Sequence, residues 1–187
     1  MKKTFIFALA LISSASLVHS AETRHVEAHM HGVGHLDIAI EDNIVTMVFK
    51  APGADIVGFE YEAESEADKQ AVKAAMDTLK QPLSLFSFPE KAGCSVQKAD
   101  VELIHHHDEH EEHHNDEHEE HYGDEGHNAS DFVAHYQLTC KNTSAINSLS
   151  FGYFEQFPAA EEVEVQIVGD VITLSTEATK EKTKIDF

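Results

Sequence analysis

A chain of 187 residues with 13 Lys+Arg against 34 Asp+Glu carries a formal charge of −21 at pH 7. That excludes nucleic acid and anionic membrane surfaces as natural partners and favours cations. A hydrophobic content of 42% suits one folded domain with a real core, and the unusual counts are 15 His, two Cys and no Trp.

Lys2 and Lys3, the apolar run from Phe5 to Ile12, and the small residues ending at Ser20 read as a secretory leader. Cleavage is expected after Ser20, leaving residues 21–187 as the mature domain. The apolar run is too short to span a bilayer and no later stretch is long enough, so a membrane-embedded protein is not expected. The periplasm is the expected destination. Eukaryotic secretion is the alternative, because Asn128-Ala129-Ser130 and Asn142-Thr143-Ser144 fit the glycosylation pattern.

The mature N-terminus carries His25, Glu27, His29, His31 and His35, all at odd positions. In an extended chain these five side chains share one face, because strand side chains alternate. Gly32 and Gly34 argue against a helix. His29 and His31 would stand about 7 Å apart at the backbone, close enough to converge on one ion. These two are the expected core of a tight site, completed by His25, Glu27, His35 or His127. Ordered strand ligands lose less freedom on binding than loop ligands. The opposing reading is a polar edge strand whose histidines face water. A site of this kind is zinc-like, although Cu(II), Ni(II) and Co(II) also accept nitrogen ligands.

Ile38 to Ile40 and Ile44 to Phe49 predict a hairpin, broken at Pro52-Gly53, with Ile56 to Tyr61 as a further short strand. Ser65 is a candidate N-cap for a helix whose core stripe is Val72, Ala75, Met76 and Leu79, stopped near Pro82. Leu83 to Phe88, Cys94 to Ile104 and Phe132 to Lys141 read as strands, and Asn142 to Leu149 as a short helix. Val163 to Val168 and Val171 to Thr176, joined at Gly169-Asp170, predict a second hairpin. The expected class is α+β: a single domain, mainly antiparallel sheet with one clear helix and a long disordered His/Asp/Glu-rich loop.

That loop spans residues 105–127 and contains nine His and ten Asp/Glu. Its histidines are His105, His106, His107, His110, His113, His114, His118, His121 and His127. Such a stretch cannot form a core, and imidazoles interleaved with carboxylates suit the capture of several metal ions in no single geometry. A solvated charge run or a tag would be the bland reading. The composition does not suit catalysis. Cys94 and Cys140 flank the loop at similar distances, and in an oxidising compartment a Cys94–Cys140 disulfide is expected. With the two opposed in an antiparallel pair, a constant register sets Ile104 opposite Ser130. Two metal-binding thiolates are the rival reading, without any CxxC spacing to support it. His135, out of phase with Phe132, Ala134 and Tyr136, is expected at the surface.

The stretch His25-Val26-Glu27-Ala28-His29-Met30-His31-Gly32 resembles the zinc-regulated periplasmic zinc-binding proteins of the ZrgA type. The likeness continues through Ala51-Pro52-Gly53 with Gly58-Phe59-Glu60, through Cys94 and the histidine run, and from His127 to Cys140. The resemblance implies a Zn(II) binder that supports zinc acquisition, with an ABC-type importer as partner. Tyr61 stands where many relatives are expected to have His, a departure that tells against a ligand from that loop. A copper or nickel chaperone is the alternative function. A metal-dependent hydrolase is a lesser one, since the chain has too few residues for an amidohydrolase barrel and lacks hydrolase motifs. No enzyme activity is expected.

Overall fold

The computed structural model describes residues 30–106 and 129–187. Within them the chain forms a single sheet-rich domain whose strands follow the alternation of apolar and polar residues. β1 (Val33–Glu41) and β2 (Ile44–Pro52) form the expected hairpin, pairing His35 with Lys50 through Glu41 with Ile44. Leu36 and Ile38 of β1, and Val45, Met47, Phe49 and Ala51 of β2, are buried on one face, as period-2 sequences require. β4 (Cys94–His106), β5 (Ala129–Cys140), β7 (Glu162–Gly169) and β8 (Ile172–Thr179) complete a six-stranded sheet in the order β4-β5-β2-β1-β7-β8. Every pairing in it is antiparallel except that of β1 with β7, which is parallel. β7 and β8 are the expected second hairpin, turning at Asp170-Val171.

A smaller sheet of β3 (Phe86–Ser87), β6 (Ser148–Phe151) and β9 (Lys184–Asp186), in the order β3-β6-β9, contributes to the same core. Phe49 of β2 meets Phe86 and Tyr153 with ring centroids 5.1 and 5.0 Å apart, and Phe151, Phe154 and Phe157 extend the aromatic cluster. Each such ring contributes about 2–3 kcal/mol by leaving water. The helix α2 (Glu66–Leu79) begins where expected: Ser65 Oγ accepts the Asp68 N–H at 3.1 Å. It buries Ala75 and Leu79, and the Tyr136 hydroxyl donates to the Leu79 carbonyl at 2.8 Å, tying the helix end to β5.

Several expectations are corrected. Ile56 to Tyr61 is not a strand: α1 (Gly53–Val57) takes its first two residues, and Gly58 caps that helix in the left-handed region at φ 85°. The first half of Leu83 to Phe88 is the one-turn helix α3 (Pro82–Leu85), because Pro82 supplies a ready-made first helical residue, and only Phe86–Ser87 pairs as a strand. Asn142 to Leu149 holds a single 3-10 turn (Thr143–Ala145) before β6 begins. With α4 (Tyr153–Gln156) there are four helices among the described residues, three of them very short, where one was expected. Of the segment expected to be extended from His25, residues 25–29 lie outside those described; His31 and Gly32 form a turn, with Gly32 at φ 88°, and the strand begins at Val33.

Cys94 and Cys140 are directly opposed and joined by a disulfide. The register beyond them differs by one residue from expectation. An irregularity between Val96 and Lys98 inserts an extra residue into β4, so His105, not Ile104, faces Ser130. Of the loop expected at residues 105–127, His105 and His106 belong instead to β4, and residues 107–127 lie outside those described.

Candidate metal centre

One imidazole, His31, lies just before the entrance to β1, and glycine sets its surroundings. A Cβ on Gly53 would sit 2.7 Å from the Phe59 carbonyl oxygen and closer still to Ser130 Oγ. Only glycine therefore lets the start of α1 lie against the returning chain. Gly58 then reverses the chain, its N–H closing on the Ala54 carbonyl at 3.1 Å. Phe59 and Tyr61 stack with centroids 4.6 Å apart. The residue between them, Glu60, brings Oε1 to 3.1 Å from His31 Nε2.

Asp55, in the middle of α1, fastens the same turn from below. It is only 4% exposed, and both of its carboxylate oxygens accept the Gly32 N–H, at 2.8 and 3.0 Å. The Gly32 carbonyl in turn accepts the N–H groups of Glu161 and Glu162, each at 2.8 Å. The peptide following His31 is thus held on both sides, and His31 is carried by fixed backbone. Burial pushes the Asp55 carboxyl above the usual carboxylate range, the Gly32 hydrogen bond and His31 pull it back, and Glu60 and Glu161 push it further up. Three carboxylates therefore crowd one turn against a single imidazole.

Two further imidazole–carboxylate pairs occur. His35 on β1 lies opposite Glu164 of β7, with Nδ1 3.3 Å from Oε2. Glu164 itself faces Glu177 of β8, and both line a shallow polar groove of about 350 Å³. Partial burial first, then repulsion from Glu177 and Glu164, raises the neighbouring Glu162 carboxyl. At the far end of β4, His106 Nε2 lies 2.9 Å from Asp131 Oδ2, the same oxygen that meets Lys50 Nζ at 3.0 Å. Asp131 is 1% exposed, so this pair anchors the root of the 107–128 segment.

The candidate residues are thus distributed, not gathered. His31 and His35 do not share a partner: the turn at Gly32 gives one to Glu60 and the other to Glu164. His105 and His106 end β4 in adjacent positions that alternate between the faces of the sheet. His135 is exposed, as expected. His25, Glu27, His29, His107, His110, His113, His114, His118, His121 and His127 lie outside the described residues. Among the described residues no three His, Cys, Asp or Glu side chains come together closely enough to hold a metal ion. Asp55, Glu60 and Glu161 are the site residues that sequence reasoning missed. The one signal for them was the pair of glycines, Gly53 and Gly58, that bends the chain back to His31.

Imidazole nitrogen and carboxylate oxygen are the donors of a protein that handles divalent metal ions of the zinc type. The chain belongs to the ZrgA family of zinc uptake proteins, whose model matches residues 28–187. No curated protein shows significant sequence similarity to the chain. Among the described residues no helix is long and apolar enough to cross a membrane.

Proposed function

We propose that this protein is exported to the periplasm, where it captures or buffers Zn(II) and supports its acquisition by passing it to an ABC-type importer. Membership of a zinc uptake family over residues 28–187 carries the reading. The ion is cargo, and the chain's own chemistry supports two modes of holding it. The nine imidazoles and ten carboxylates of residues 105–127 form a high-capacity store of interchangeable ligands. The N-terminal histidines, with His29 and His31 at their centre, form a tighter site. The clamped turn at Gly32 supports this, because a ligand on fixed backbone gives up less freedom when it binds. A net charge of −21 concentrates cations around both.

The test is the metal content of untagged protein purified from its own periplasm. Zinc in excess of copper and nickel supports the reading, and copper or nickel in its place refutes it. Calorimetry against a competing chelator then compares the parent, a deletion of residues 107–127, and His29→Ala/His31→Ala. The deletion is expected to keep the tight phase and the double substitution to lose it.

A further inference from the structure

We infer that Glu60 is a zinc ligand, acting with His31 as a preformed two-donor pair at the mouth of β1. The inference rests on the zinc-binding reading above and goes beyond it by bringing a carboxylate from the loop after α1 to the N-terminal histidines. Three observations converge. Glu60 Oε1 is a buried oxygen with no hydrogen-bond partner among the described residues, yet His31 Nε2 stands 3.1 Å away. The two are in near contact and not aligned for a hydrogen bond. Burying a carboxylate oxygen in that condition is unfavourable unless something else satisfies it.

The spacing says what that something is. Two ligands at about 2.0–2.1 Å from a tetrahedral zinc lie about 3.3 Å apart. The observed 3.1 Å is within a small side-chain adjustment of that value. The charge agrees as well. Glu60 and Glu161 act on Asp55 as like charges around this turn, and among the described residues His31 is the charge that opposes them there. A divalent cation between His31 and Glu60 relieves that repulsion, which a protonated imidazole offsets only in part.

Both donors are held before the ion arrives. His31 adjoins the Gly32 peptide, which Asp55, Glu161 and Glu162 hold by hydrogen bonds. Glu60 follows the Gly58 reversal and lies in sequence between Phe59 and Tyr61, whose rings stack on each other and fix the backbone on either side of it. Among the described residues the pair supplies two ligands of a four-coordinate ion. The remaining coordination positions are open to water.

The experiment uses the full mature chain and titrates the metal-free protein with Zn(II) against a competing chelator. Co(II) is then titrated as a visible-absorption probe of coordination. The variants are Glu60→Gln, His31→Ala, the double variant, and Glu155→Gln as an exposed control for the loss of one charge. Thermal unfolding of each metal-free variant checks that the fold is kept. Glu60→Gln is expected to weaken the tight phase about 100-fold, the top of the range for outer-shell partners or beyond it. The Co(II) spectrum is expected to change with it, and the double variant to lose little more than either single one. The control is expected to match the parent. If Glu60→Gln binds as tightly as the parent while His31→Ala does not, Glu60 is no ligand and the zinc-binding reading stands. If the parent itself shows no tight phase, the zinc-binding reading fails with it.

Discussion

Breaking the Cys94–Cys140 bridge is expected to cost the domain about 4 kcal/mol. The cysteines are 46 residues apart in sequence, and the chain-entropy model gives about 4 kcal/mol for closing a loop of that size in the unfolded chain. The native ladder does not depend on the bond. Its register runs from Ser95 with Thr139 to His106 with Ala129, and β5 is also paired to β2 along its length. The effect therefore falls on the unfolded state, and the reduced protein should keep its sheet. For a domain of this size, about 2–4 °C per kcal/mol predicts a fall in Tm of roughly 8–16 °C. The assay is urea unfolding of the parent and of Cys94→Ala/Cys140→Ala, with alanine preferred to serine because Cys140 is buried. A lower midpoint with a somewhat steeper slope is expected, because the unlinked unfolded chain is less compact and exposes more surface. A loss below about 1 kcal/mol would refute the loop-closure argument, and so would free thiols in protein purified from the periplasm without reductant.

Deleting residues 107–127 should remove most of the zinc stoichiometry seen by calorimetry while leaving the circular dichroism of the sheet in place. In the parent, that binding should weaken from neutrality to pH 5, because free imidazole titrates near about 6.5 and must be neutral to bind. Gly53→Ala should destabilise the domain by about 1–3 kcal/mol, since its Cβ would strike the Phe59 carbonyl and Ser130, and should weaken the tight zinc phase by displacing the Glu60 loop. Asp55→Asn tests the buried carboxylate. Its carboxyl is raised above 3.8, so the folded state holds the proton better than the unfolded one. The parent therefore loses stability as pH rises from 3.8 through the folded pKa, and the variant does not. Urea unfolding between pH 4 and 7 should show the variant gaining on the parent as pH rises, and a flat or opposite difference would defeat the assignment.

Much of the architecture is written in local pattern. Period-2 alternation marks β1, β2, β5 and β7, the Ser65 cap and apolar stripe mark α2, and the placement of two cysteines around a polar run marks the disulfide. Each depends on residues close in sequence, or on a rule that needs no geometry. The tertiary structure decided what depends on distant segments meeting. The parallel contact of β1 with β7 brings together residues some 130 positions apart, for example His35 and Glu164, and no periodicity announces it. The irregularity at Gln97 shifts the β4 register by one, which changes the residues facing each other at the root of the histidine segment. Ile56 to Tyr61 has strand-forming residues, but the close approach of Gly53 to Ser130 and Phe59 curls the chain into a helical turn. That curl carries Glu60 to His31, two residues that nothing in the linear order connects. Donor types follow from composition, but which donors meet depends on backbone paths that only packing selects.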